Sequence, residues 1–472
     1  NFKVFQNAPK TMRDLFAVVE LLQGDFPFIS EDDKELSFFE TMSKAKSICK
    51  FLQDQGIQPN DRVGICMQNC TNWIIVFLAI TGHGATCVPF NSWWTAKELE
   101  YGIEHSDVKT LFVDKKRYEN VSNLNVKIIT NEKIEGEIYL NDTLISNQPS
   151  WPIDNSNELD TSVLLYTSGS TGLPKGVMLS HLSLINSLLG FYTLGELRSH
   201  VHNEQLLQVD NASVIINVPL FHVTGSHAGL LMSILVGRKI VMMKKWDAGE
   251  ALKLIQDEQI SDITGVPTQT WELLNHPERN KYNLSSLKTL GGGGGPRPPE
   301  HVKLLDKEFE GRPGIGYGLS ETNALGTLCN GNEYVNHPAT AGRVVPPLTD
   351  IRIIDENWND VEDGGLGEIA IKSLGNMVGY WKNPEATAEC TNDDGWFRSG
   401  DLGKFEGPFL YIVDRVKDMV IRGGENIACP EVESAIYEHP QVLEACVFGI
   451  SDERLGELLC SSIYLREGFT MN

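Results

Sequence analysis

Short runs of β-branched and aliphatic residues alternate with longer amphipathic stretches over most of the chain. RVGICM (62–67), TLFVD (110–114), VKIIT (126–130), SVIINV (213–218), KIVMM (239–243) and DITGV (262–266) have the length and composition of strands. Between them, TAKELEYGIEH (95–105), EALKLIQDEQ (250–259) and EHVKLLDKEF (300–309) place apolar residues at helical spacing. Strand–helix alternation of this kind predicts parallel sheets covered by helices. One pattern repeats. RVGICM, an apolar helix and GATCVPF echo SVIINV, an apolar helix and GRKIVMM. Both have the crossover length that parallel pairing needs. Two related sheet subdomains would produce this echo, and so would the general likeness of all strand–helix–strand units.

After Gly379 the texture changes. YWKNPEATAE is polar, GWFRSGD (395–401) has strand-and-turn character, and FLYIVDR (409–415) is a strand ending in charge. Then follow a strand, a glycine turn, a helix from Pro430 and two strands. Pro430 with Glu431 and Glu433 is favourable chemistry for a helix start. A domain boundary is expected between Asp414 and Lys417, giving domains 1–414 and 415–472. The fold class expected is α/β: a large N-terminal domain of two related parallel-sheet subdomains plus a smaller β-rich one, then a small α+β C-terminal domain cut in mid-pattern at Asn472. The chain starts at Asn1 rather than Met, so the N-terminus is expected to extend further.

Composition narrows the function classes. The chain has 472 residues, 41% hydrophobic, enough for a large core and more than one domain. Its net charge is −23 with no block of Lys and Arg, which argues against nucleic acid as a partner. Nine cysteines, irregularly spaced and without a CxxC, fit a reducing cytoplasm better than a disulfide framework or a zinc site. The longest apolar run, WIIVFLAI (73–80), is too short to cross a bilayer.

The first stretch with chemistry is YTSGSTGLPKG (166–176). Val163 to Tyr166 and Val177 to Leu179 read as strands, so the loop joins strand to strand, and a helix comes only after His181. The common nucleotide loop needs G-x-x-x-x-G-K-[ST] running into a helix. Here Pro174 stands where its second Gly would be, and Gly176 follows Lys175. What remains is a set of backbone N–H groups, hydroxyls and one mobile cation in Thr167, Ser168, Gly169, Ser170, Thr171, Gly172 and Lys175, able to wrap a polyphosphate. The plain alternative is a solvated Ser/Gly turn.

With YTSG before it, STGLPKG resembles the signature of the adenylate-forming (AMP-binding) superfamily, which includes acyl-CoA synthetases, peptide-synthetase adenylation domains and luciferase-like enzymes. Further stretches match in order. PLFHVTG (219–225) resembles the segment lining the carboxylate pocket, with His222, Thr224 and Gly225 as substrate residues. The glycine run Gly291 to Gly295 precedes PRPPE. By resemblance it lets backbone approach adenine and the acyl group at Gly293, Gly294 and Gly295. GYGLSET (316–322) resembles the second signature, and the resemblance implies Tyr317 stacked on adenine beside Gly318, Ser320 at the α-phosphate and Glu321 on Mg²⁺. SGD (399–401) matches the ribose site, with Asp401 on the hydroxyls and Arg415 nearby. DRVKDMVIRGGEN (414–426) resembles a hinge at Lys417, opening a mobile C-terminal domain whose Gly423 and Gly424 line a CoA tunnel. GGEN, VFGISDERLGE, NSWWTAKELEYG and GNMVGYWKNPEATAE resemble fatty-acid and related carboxylic-acid CoA ligases most. Each stretch taken singly also has a plain reading as a turn, a linker or a core histidine.

The resemblance implies ATP and CoA as co-substrates, Mg²⁺ as metal, and a small carboxylic acid, a fatty acid first among them, as substrate. It implies catalytic roles for Lys175, Ser320, Glu321 and Lys417. A cytoplasmic monomer or homodimer is expected, with room for peripheral membrane contact. Transfer to a carrier protein, an aryl-acid ligase, luciferase-like oxidation and a non-catalytic nucleotide-binding homologue stay open. The family also places a catalytic Lys near its C-terminus. No Lys follows Lys417 here, and the sequence stops at LREGFTMN, so that residue is expected beyond position 472. If Lys417 is the hinge, Lys417→Pro will leave pyrophosphate release intact and block thioester formation. Equal survival of both half-reactions in a stopped assay refutes the hinge.

Overall fold

The computed structural model describes all residues except 1, 3, 145–149, 152–155, 168–172, 203–211, 346, 417, 423–424, 438, 440, 453, 466–467 and 470–472. Two large sheets dominate. An eight-stranded sheet runs in the order Gly379–Tyr380, Lys175–Ser180, Thr161–Thr167, Thr86–Pro89, Arg62–Cys66, Thr110–Val113, Lys127–Thr130, Ile138–Tyr139. Its central pairs are parallel, and its first two are antiparallel. A nine-stranded sheet runs Arg343–Val344, Thr327–Asn330, Arg312–Tyr317, Thr289–Gly293, Asp262–Gly265, Ser213–Ile216, Lys239–Met242, Pro27–Glu31, Lys34–Ser37, again parallel at its centre. The echo in the sequence is a topological one. Arg62–Cys66 lies between Thr86–Pro89 and Thr110–Val113, just as Ser213–Ile216 lies between Lys239–Met242 and Asp262–Gly265.

The two sheets share one apolar layer. The helix Thr71–His83 is buried continuously from Trp73 to His83, as a helix apolar on every side must be. Its side chains join Val63 and Ile65 of one sheet and Val214, Ile216 and Ile240 of the other in a single cluster. The polar-faced helices Met12–Gln23, Phe38–Asp54 and Ala96–Ser106 start at Thr11, Ser37 and Thr95, each closing a reciprocal capping box.

Two small antiparallel sheets follow. One comprises Thr349–Ile354, Gly367–Ser373, Phe397–Glu406 and Phe409–Arg415, and the other Glu425–Ile427, Val420–Arg422, Gly456–Leu465 and Val442–Asp452. The α/β class with added antiparallel sheets is as expected. Three local differences bear on the site. The glycine run is not all loop, because the strand Thr289–Gly293 continues through Gly291 and Gly292. SGD lies inside the strand Phe397–Glu406 rather than in a turn. The C-terminal helix starts at Cys429, one residue before Pro430. No helix among the described residues is long and apolar enough to cross a membrane.

Trp73→Ala removes the largest fully buried side chain from the layer that both sheets share. It should cost about 3–5 kcal/mol. A fall in thermal midpoint with loss of the near-ultraviolet signal is the expected reading.

Candidate active site

Where the two large sheets and the first small one meet, a cleft of about 1430 Å³ opens. It lies at the carboxyl ends of parallel strands, where open α/β sheets present their loops. Thr167 ends one strand, and Gly293 and Gly294 end another. Gly318, Ser320 and Glu321 follow a third. Lys175, His222, Thr224, Asp401 and Arg415 complete the set of predicted residues that reach this cleft.

The strands Thr161–Thr167 and Lys175–Ser180 pair antiparallel, with Thr167 opposite Lys175. The two ends of YTSGSTGLPKG are therefore paired as adjacent antiparallel strands. Ser168, Gly169, Ser170, Thr171 and Gly172 lie outside the described residues, as do Lys417, Gly423 and Gly424. Both legs are fixed. Tyr166 Oη and His105 Nδ1 share a hydrogen bond of 2.8 Å, and Tyr101 Oη donates to the Pro174 carbonyl at 3.3 Å.

Lys175 Nζ stands 4.9 Å from the centre of the Tyr380 ring, a cation–π distance. The Tyr380 hydroxyl donates to Glu321 Oε1 at 2.8 Å. Burial raises the Glu321 pKa above the usual carboxylate range, against the opposing pull of the Tyr380 hydrogen bond and the Lys175 charge. Glu321 has no ion pair within contact distance among the described residues. This donor chemistry fits Mg²⁺, which favours one or two carboxylates and fills its other positions with water and phosphate oxygens. Among the described residues no cluster of three or more His, Cys, Asp or Glu is placed to hold a metal unaided, so Glu321 would share the ion with those oxygens.

Asp401 is also buried, and burial raises its pKa. Tyr317 Oη donates to Asp401 Oδ2 at 2.7 Å, and Arg415 Nε lies 3.5 Å from Oδ1. The strand before it is held by Glu368, whose carboxylate accepts from the Gly400 amide at 3.1 Å and lies 3.7 Å from Arg398 Nε. His222 opens its ring to the cleft, and the desolvating protein around it lowers its pKa.

Three predicted residues stand elsewhere. Tyr317 packs its ring beside Ile353, Ile369 and Leu410 and reaches the site through its hydroxyl on Asp401. Gly225 is buried, and a Cβ there would lie 2.2 Å from the Pro219 carbonyl, so it serves packing rather than the cleft surface. Gly295 is exposed just past the cleft-lining glycines. Gly318 has a packing reason of its own, because a Cβ would fall 2.1 Å from the Ala324 carbonyl.

The chain matches the AMP-binding enzyme family over residues 5–381 and the AMP-binding enzyme C-terminal domain over residues 431–472. The chain belongs to the AMP-binding enzyme family. It is thereby an adenylate-forming enzyme of the AMP-forming acid–thiol ligase class, as the ordered motifs led us to expect. It is similar to a long-chain-fatty-acid–CoA ligase of Bacillus subtilis, with 32% identity covering 97% of this chain and 86% of that protein. It is equally similar to a feruloyl-CoA synthase of Amycolatopsis, 32% identical over 90% of this chain and 82% of that one. Among solved structures, ATP-bound MatB from Rhodopseudomonas palustris superposes with a TM-score of 0.86 at 25% identity, covering 98% and 90% of the two chains.

Within this family member, Tyr380 is the residue that sequence reasoning missed. It lay inside GNMVGYWKNPEATAE, a stretch read only as a likeness. Its position depends on Gly379–Tyr380 pairing antiparallel with Lys175–Ser180, a contact between distant segments that no local pattern announces. Tyr380 and Glu321 supply the test. Because the folded Glu321 pKa is raised, the stability it contributes is full at low pH and lost as pH rises through that value. Glu321→Gln should therefore raise the thermal midpoint of the ligand-free protein at pH 8 and leave it nearly unchanged at pH 4. Equal shifts at the two pH values in scanning calorimetry contradict this account.

Proposed function

We propose that this protein is an ATP-dependent carboxylic acid:CoA ligase that forms an acyl adenylate and then a thioester. The observation that carries the reading is the convergence in one cleft of Lys175, the buried Glu321–Tyr380 pair, Asp401 and a strand end of bare glycine backbone. A carboxylate is a poor acyl donor because its leaving group would be oxide. Joining it to AMP cures this: its oxygen attacks the α-phosphorus of ATP, and pyrophosphate leaves. Bound Mg²⁺ would supply charge neutralisation on the phosphates. Lys175 and the hairpin tip neutralise the departing pyrophosphate, and Ser320 offers a hydroxyl to the α-phosphate. Asp401, oriented by Tyr317, holds the ribose. Gly293 and Gly294 let the backbone approach the adenylate, and His222 and Thr224 border the carboxylate. This is positioning and electrostatics rather than covalent chemistry on the protein.

The second step needs a different wall to the cleft. A turn of the segment after residue 415 about Lys417 would bring Gly423 and Gly424 to the CoA path, so that the thiol attacks the acyl carbon and AMP departs. This reading takes 415–472 as a domain that moves against 1–414, so that one site serves both steps. A fatty acid is one candidate substrate and an aryl acid the other, in keeping with the two kinds of similar ligase.

Purified protein with ATP, Mg²⁺ and a panel of short, medium, long and aromatic acids should release AMP in a CoA-dependent manner. Adenylate accumulation without CoA turnover moves the acceptor to a carrier protein, and ATP binding with no pyrophosphate from any acid sinks the ligase. Lys175→Ala should slow pyrophosphate release by about 10²-fold with little change in fold, read by a coupled pyrophosphate assay. An unaltered rate removes Lys175 from phosphate binding.

A further inference from the structure

Resting on the ligase reading above, we propose that the acid carries a hydrogen-bonding group at the end remote from its carboxylate, read by Asn330 and Thr264, and is not a long unsubstituted alkyl acid.

The cross-strand register lays out the pocket floor. Gly293, Gly316 and Leu328 form one row, and Thr264, Gly291, Gly314 and Asn330 the next. Asp262 and Thr289 lie in the row beyond. Side chains alternate along strands, so these rows share one face of the sheet. The other face carries Ile263 and Leu290 into a separate apolar cluster. The glycine face looks across the cleft at Phe191, Ala228 and Met232. Glycine at 291, 293, 314 and 316 leaves a groove running down the sheet from the adenylate end. A Cβ on Gly291 would touch nothing nearer than 3.4 Å, so the space above it is open to a ligand.

This groove becomes polar as it deepens. Asn330 lies across Gly314, its Oδ1 only 2.2 Å from where a Cβ on that glycine would sit. It occupies the position before the helix Gly331–Asn336 where an Asn side chain normally caps, yet it makes no capping bond. Neither its amide nor the Thr264 and Thr289 hydroxyls have a hydrogen-bond partner among the described residues. Past them, Arg238 and Asp262 stand 3.7 Å apart with side chains 13% and 20% exposed, both facing the cleft. A methyl terminus laid on this floor would strip water from the Asn and Thr groups and return nothing. A hydroxyl or carbonyl would satisfy them. At about 3.3 Å per residue, the Asn330 row lies roughly 7 Å, and the ion-pair row roughly 13 Å, beyond the Gly293 row. That reach suits a hydroxylated arylpropenoic acid or a medium-length ω-hydroxy acid. A long alkyl chain would run onto the ion pair.

The test uses matched pairs in the AMP-release assay: 4-hydroxycinnamate against 4-methylcinnamate, and 8-hydroxyoctanoate against nonanoate, with hexadecanoate alongside. We expect the polar-ended acid of each pair to be preferred at least tenfold in kcat/KM. We expect Asn330→Leu, and the nearly isosteric Thr264→Val, each to cut that preference by tenfold or more through KM for the acid, with KM for ATP unmoved. A variant that merely misfolds lowers the rate for both members alike and leaves the ratio, which the second variant then decides. Equal or better use of the methyl-ended acids, or hexadecanoate as the best substrate, overturns the proposal. A preference that survives both variants removes Asn330 and Thr264 from the readout. AMP release from no acid at all defeats the ligase reading itself, a result separable from failed selectivity.

Discussion

A helix with no polar face can be buried only if something apolar meets it on every side. The segment Trp73–His83 is such a helix, and each of its large side chains contributes about 1.5–3 kcal/mol when fully removed from water. One sheet cannot cover it. The chain satisfies it with two parallel sheets, whose facing residues Val63, Ile65, Val214, Ile216 and Ile240 enter the same cluster. Strands from both sheets then end beside a common seam, and the seam is the cleft. Thr167 comes to it from one sheet and Gly293 from the other. The cleft takes its lining from both sheets, so the apolar layer behind it is what holds those groups in register.

The cleft reverses the usual economy of charge. Two buried carboxylates, Glu321 and Asp401, have pKa values raised by desolvation, and each is held by a tyrosine hydroxyl, Tyr380 and Tyr317 respectively. The hydroxyls orient both carboxylates, and Asp401 also has the Arg415 guanidinium 3.5 Å away. Glu321 has no ion pair among the described residues, so a cation brought into the cleft would offset the cost of its burial. Lys175, resting on the Tyr380 ring, links the hairpin leg to the same carboxylate through Tyr380. The sheet floor of the cleft obeys a different rule. Gly291 and Gly314 carry no side chains there, and the Asn330 amide and the Thr264 hydroxyl have no hydrogen-bond partner among the described residues.

Much of this was legible in the sequence. Period and composition marked the strands at 62–67, 110–114, 213–218 and 239–243, because a buried strand must be a short apolar run. They also marked the all-apolar helix between the first echo pair. The ordered motifs pointed to the family and to eleven of the residues that line the cleft. Legibility failed where packing overrode local preference. Five consecutive glycines have the composition of a linker, yet Gly291 to Gly293 are strand, because neighbouring strands on both sides supply the hydrogen bonds that glycine itself does not favour. The resemblance put the Tyr317 ring on adenine, but nothing local announced that its hydroxyl donates to Asp401, 84 positions away.

By itself, then, the sequence determined the element types, the α/β class and the chemistry on offer, since those follow from local spacing and side-chain type. It could not decide which residues meet. Tyr380 reaches Glu321 because an edge strand pairs with the hairpin. Asn330 lies over Gly314 because two antiparallel strands place them in register. These are long-range pairings selected by the burial of whole faces, and only the tertiary structure fixes their register.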